Sequence, residues 1–135
     1  MGGAVLLSAP SLPAPAPGHP LPACPSSPNC ERASSAYDVP AETLFAATRR
    51  ALERLGPATH RFAADSLRAA AVYRVGGLFK DDVTTAVTPT DGGAALHVRS
   101  ASRTGQYDFE VNRRRVDRLL DAVERELSRP NAEAE

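Results

Sequence analysis

FKDDVTTAVTPTDGGAALHVRSA, residues 79–101, reads as a β-hairpin. From Phe79 to Thr88, Val83, Thr85 and Val87 fall on one face at a period of two, and from Ala94 to Ala101 Leu96 and Val98 do the same. Between them Asp91-Gly92-Gly93 supplies the residue types that enter the left-handed region at the centre of a primed turn. The alternation sends His97 and Arg99 away from Leu96 and Val98. It also sends Asp81 and Asp82 to opposite faces, so their carboxyls cannot address one substrate atom as an acid–base pair.

Outward from the hairpin the period of two continues upstream. Leu67 to Val75 sets Ala69, Ala71, Tyr73 and Val75 against Ala70, Val72 and Arg74; Gly76-Gly77 turns the chain, and Arg61 to Ala64 reads as a further short strand. Ala41 to Leu55 is helical, with Leu44, Phe45, Thr48, Leu52 and Leu55 on one stripe, Pro40 where a first turn tolerates it, and Gly56-Pro57 as the stop. Downstream, a loop from Ser102 to Val111 leads to a second helix that Asn112 is placed to cap, with Val116, Leu119, Leu120, Val123 and Leu127 at helical spacing. Helix, strands and helix in that order predict an α+β domain, an antiparallel sheet of about four strands with two helices packed on one face. The other face then carries Arg74, His97 and Arg99.

A chain of 135 residues supports one domain, predicted over residues 24–129. Met1 to Cys30 holds no Asp, Glu, Lys or Arg and most of the 12 prolines, so residues 1–23 are expected to form a disordered Pro/Ala-rich arm, polyproline-like where ordered; residues 130–135 are expected to be a disordered tail. Ala4 to Ala9 is a short apolar run with no cation before it, which does not make a signal peptide. The expected location is cytoplasmic as the chain is written, and exported if the true N-terminus lies upstream. Sixteen basic and 16 acidic side chains cancel, which argues against nucleic acid or an anionic membrane as partner. No segment approaches the roughly 20 apolar residues of a transmembrane helix.

The chemistry-bearing side chains concentrate between Arg99 and Arg115, in RSASRTGQYDFEVNRRR. Arg103 is expected to pair with Asp108 or with one of Asp81 and Asp82, because the loop has few apolar residues to hold it. Ser100 and Ser102 are small hydroxyls with no base beside them, and Arg113 to Arg115 open a helix where an anion near Asn112 would offset the macrodipole. Upstream, Cys24 and Cys30 are spaced to close a disulfide, the reading favoured over free thiols or metal ligands; for zinc, His19, His60 and His97 sit at no standard finger spacing.

Cys24-Pro25-Ser26-Ser27-Pro28-Asn29-Cys30, then Phe79-Lys80-Asp81-Asp82-Val83, then Arg99-Ser100-Ala101-Ser102-Arg103-Thr104-Gly105 with Asp108 and Val111-Asn112-Arg113, together resemble the bacterial and plastid family known as domain of unknown function 1499. The resemblance spans most of Cys24 to Leu127 and implies that these positions matter, without implying an activity. The leading expectation is a non-enzymatic domain that binds an anionic small molecule or a protein partner through the polar sheet face and the Arg-rich strand-to-helix junction. Its binding site or structural network would comprise Asp81, Asp82, Arg99, Ser100, Ser102, Arg103, Asp108, Asn112 and Arg113, with no catalytic residue, metal or cofactor. The alternative is a thiol-dependent or metal-assisted enzyme in which Cys24 and Cys30 lie against His97 or Asp108.

Overall fold

The computed structural model describes residues 11–25, 29–104 and 110–129. The elements in chain order are β1 (Cys30–Tyr37), α1 (Ala41–Arg54), β2 (Thr59–Ala63), β3 (Arg68–Val75), β4 (Phe79–Thr90), β5 (Gly93–Ser102) and α2 (Val111–Ser128). All strands join one antiparallel sheet in the order β1-β5-β4-β3-β2. The sheet therefore has five strands, not about four. The addition is β1, CERASSAY, which is rich in small and polar residues and shows no clean apolar alternation. Its pairing with β5, from Cys30 opposite Ala101 to Tyr37 opposite Ala94, comes from the tertiary fold and not from local propensity.

The 79–101 hairpin forms with Thr90 opposite Gly93 and Val83 opposite Ser100. Its turn is not a primed one, since neither Asp91 nor Gly92 has positive φ. The glycine that the fold requires here is Gly93: a Cβ on it would stand 2.1 Å from the Tyr37 carbonyl oxygen, where β1 ends against the hairpin. Gly76 and Gly77 do take positive φ, at 63° and 89°, and turn β3 into β4.

Both helices cover the sheet face formed by Ala33, Ala69, Ala71, Tyr73, Val83, Val87, Leu96 and Val98. Helix α1 contributes Leu44, Phe45, Ala47, Ala51 and Leu52, and α2 contributes Val116, Leu119, Leu120 and Val123, on the stripes expected from their spacing. At the C-terminal end of α2 the buried Glu126 accepts from Arg50, Arg54 and Arg129. Burial pushes its carboxyl up, but these guanidiniums outweigh that and hold it below the usual carboxylate value.

Asn112 does not cap α2. The N-terminal boundary residue is Glu110, in the left-handed conformation at φ 67°, and Asn112 is fully buried inside the first turn, where its side chain binds other segments. Where the proline-rich composition predicts an arm free of the domain, residues 16–22 lie across the back of the sheet. The Ala16 N–H donates to Ser34 Oγ at 2.9 Å, Arg32 donates to the Leu21 carbonyl, and Leu21 is 5% exposed. An extended chain leaves its carbonyls open, and the arginines of the back face take them up. Residues 1–10 and 130–135 lie outside the described residues.

Candidate functional site

The two sequence patterns at either end of the domain meet at one corner. Cys24 and Cys30 form a disulfide, with Cα atoms 5.6 Å apart, and so place Asn29 beside the end of β5. The Asn29 carbonyl accepts from the Ser102 N–H and from Asn112 Nδ2, both at 3.0 Å, while Asn29 Nδ2 donates to the Thr104 carbonyl. Asn112 Oδ1 accepts from Ser100 Oγ, and its Nδ2 also reaches Ser102 Oγ at 2.9 Å. Ser100 and Asn112 have no exposed surface, so their polar atoms must be satisfied inside the protein, and here they satisfy each other. Small side chains at 100 and 102 let α2 approach β5 closely enough for this exchange.

The cations of the junction are each engaged. Arg103 holds Asp82 through two bonds at 2.9 and 3.1 Å in a half-exposed pair, and Asp82 raises the guanidinium's pKa by accepting those bonds. Of the three expected partners it takes Asp82; Asp81 is held elsewhere, and Asp108 lies outside the described residues. Arg113 pairs with Glu31 at 3.2 Å and Glu110 at 3.5 Å. Arg99 Nε donates to the Pro22 carbonyl at 2.9 Å, so it clamps the arm alongside Arg32.

His97 is covered by the arm and is 5% exposed. Its Nδ1 meets Ser34 Oγ and its Nε2 meets Thr88 Oγ1, while the His19 ring stands edge-on at 5.0 Å between centroids. His19 in turn uses Nε2 on the Ala33 carbonyl and Nδ1 on the Leu21 N–H. All four ring nitrogens are thus occupied, and among the described residues no three His, Cys, Asp or Glu side chains gather as a metal cluster. Burial lowers the pKa of both imidazoles, helped at His97 by the proximity of His19. Both cysteines are in the disulfide, so the thiol-dependent alternative finds no free thiol.

One junction residue stands apart. Arg115 is 8% exposed and donates from an Nη to Asp81 Oδ2 at 2.9 Å, with its guanidinium 4.7 Å above the Tyr73 ring. Asp81 is buried as well, at 2%. The Arg115 Nε–H is buried with no hydrogen-bond partner among the described residues. Beside it opens a cavity of about 380 Å³, walled by Leu55, Gly56, Ala58, Tyr73, Arg74 and Arg115. Tyr73 spends its hydroxyl on the Leu52 carbonyl at 2.6 Å, and burial pushes its pKa up to about 12 against the opposing field of Arg115. Arg74 is exposed and has no hydrogen bond or ion pair to the described residues.

The family described as "Protein of unknown function (DUF1499)" matches residues 20–123. The chain belongs to this family. Two solved structures share the fold. Protein CV1439 from Chromobacterium violaceum is 15% identical, with a TM-score of 0.50 over 71% of this chain and 95% of its own. TTHA0849 from Thermus thermophilus is 13% identical, with a TM-score of 0.52 over 71% of this chain and 94% of its own. At such identities the likeness is one of fold alone. No curated protein matches the chain.

In this DUF1499 protein the residues left out of the expected site are Asn29, Glu31, His19 and Arg115, each a partner of a residue named for it, and Arg32, which holds the Leu21 carbonyl. Asn29 lay within the quoted cysteine pattern, and Arg115 within the junction. His19 carried no signal, because its partner His97 is far away in sequence. No helix of the described residues is long and apolar enough to cross a membrane.

Proposed function

We propose that this domain is a non-enzymatic binding module for a small oxyanion, a carboxylate or phosphate group, taken up beside Arg115 in the cavity between the end of α1 and β3. The observation that carries this reading is the buried Nε–H of Arg115, left without an acceptor among the described residues in a side chain that lines a cavity. An unsatisfied donor of this kind costs roughly 1–3 kcal/mol, and a ligand oxygen would recover it. The cavity lies within the size range of small-molecule sites. Asp81 balances the charge of Arg115, so Arg74 supplies the net positive charge that favours an anion. The other junction cations support the site indirectly: Arg103 and Arg113 hold Asp82 and Glu31, and the Asn29–Asn112 lock fixes where α2 begins.

The test is a titration of the labelled full chain with inorganic phosphate and with acetate, followed by NMR at the Arg115 Nε–H and the Tyr73 amide. Saturable shifts at both groups are expected with at least one anion. Arg74→Ala should weaken them about tenfold, the scale of one charge-assisted hydrogen bond, without disturbing the fold. No saturable shift with either anion, or the same affinity in Arg74→Ala, rejects the reading.

A further inference from the structure

The helices seal one face of the sheet, while the arm covers only the β1–β5 part of the other. Over β2, β3 and β4 the back face stays open. Two cavities lie there, of about 300 and 390 Å³, and both are walled by Arg61, Ala70 and Thr84, so they adjoin along that row as the two halves of a trough.

Sheet register explains the shape. Arg61 stands opposite Ala70, Ala70 opposite Thr84, Thr84 opposite Arg99, and Arg99 opposite Arg32. This single row across the sheet has small side chains at its centre and arginines on both flanks. On one flank Arg32 and Arg99 hold the carbonyls of Leu21 and Pro22, so the arm becomes a wall that presents the apolar Leu21 and Pro22 to the trough. On the other flank Arg61 is exposed and has no hydrogen bond or ion pair to the described residues. Val72 extends the floor, and the Asp82–Arg103 pair, already neutralised, closes that end.

We infer that this trough binds an amphiphilic monocarboxylate, its apolar body over Ala70 and Val72 against Leu21 and its carboxylate on Arg61. A planar guanidinium with its fork unoccupied matches the two oxygens of a carboxylate. The small, largely apolar floor and the Leu21–Pro22 wall match an alkyl or aryl body and offer nothing to a bare ion. The inference does not rest on the Arg115 cavity, which is walled by none of these residues.

The experiment is an NMR titration of the full chain with octanoate, with acetate as the headgroup alone. Octanoate should give saturable shifts at the amides of Arg61, Ala70 and Thr84, and acetate should leave them unmoved. Ala70→Tyr, which fills the trough with a side chain suited to a strand, should abolish binding. Arg61→Ala, at an exposed position, should keep the fold and weaken binding about tenfold; it decides the matter should Ala70→Tyr fail to fold. Three results would overturn the inference: no saturable shift in the native chain, unchanged binding in either folded variant, or octanoate shifts confined to Tyr73 and Arg115.

Discussion

Asp81 and Asp82 are consecutive residues that belong to different parts of the molecule. Asp81 faces the helices, is 2% exposed and holds Arg115; Asp82 faces the back, is half-exposed and holds Arg103. The same chemical pair, carboxylate and guanidinium at 2.9 Å, therefore occurs once in a sealed layer and once at the rim of an open trough. In the covered layer the two charges are obligatory partners, because Asp81 has no water to fall back on. At the rim each has solvent as an alternative. A front face built as core and a back face left partly uncovered thus assign opposite weights to one motif.

The largest expected effect tests the sealed side. Asp81→Ala leaves the Arg115 guanidinium buried without a counter-ion and should cost about 3–5 kcal/mol in denaturant unfolding. A loss below about 1 kcal/mol would mean that Arg115 swings out to solvent, and the contrast between the faces would collapse.

The alternation of Asp81 with Asp82 was legible in the sequence because a strand's period of two is a local property. So were the hairpin, both helix stripes and the placing of His97 on the face away from Leu96. Strand β1 was not, since its polar sequence becomes a strand only once β5 offers an edge. Asn112 misled for a related reason: asparagine before a helical run signals a cap, but here the long-range demands of Ser100, Ser102 and Asn29 draw the side chain inward. The arm misled too. Its composition excludes a helix and offers little to bury, and neither fact reveals that two arginines on the sheet will claim its carbonyls. Candidate residues could thus be chosen by type, whereas their partners depended on contacts far apart in sequence.

A second, smaller effect probes how firmly the back face is covered. Leu21 is the one buried residue of residues 11–25, so Leu21→Ala should lower stability by about 2 kcal/mol, limited by the free energy of docking the arm. Far-UV circular dichroism should stay unchanged, because every helix and strand lies outside residues 11–25. Loss of that signal would show that the arm is part of the core and not a cover.

Acid should loosen the same cover without touching the front. His19 and His97 both have pKa values lowered below 6.5 in the folded state, by burial first, with Arg32 acting against His19 and His19 against His97. A lowered histidine favours the neutral form on folding. Its contribution is complete above the unfolded value of 6.5 and is lost as pH falls through the lowered folded values. Amide protection at Ala16 and Leu21 should therefore fall between neutral pH and pH about 5, while Leu96 keeps its protection. His19→Gln, which removes one of the two titrating rings, should weaken the response; equal acid loss at Leu96 would place the sensitivity elsewhere.

The smallest expected effect belongs to the exposed pair. Arg103 and Asp82 are near half-exposed, and an ion pair with water on hand gains little over its separated members. Arg103→Ala, Asp82→Ala and the double variant should each unfold at the parent's denaturant midpoint, and the cycle should close with no coupling beyond error. The Arg103 N–H also donates to the Lys80 carbonyl at 2.9 Å, a backbone bond that the alanine variant keeps. That bond, and not the guanidinium, then holds the chain as it leaves β5. A clear loss of stability in Arg103→Ala with additive behaviour in the double variant would point to the arginine's alkyl stem, while strong non-additivity would make the back-face pair as obligatory as Asp81 with Arg115. Either result would remove the distinction between the two faces that the burial of their carboxylates implies.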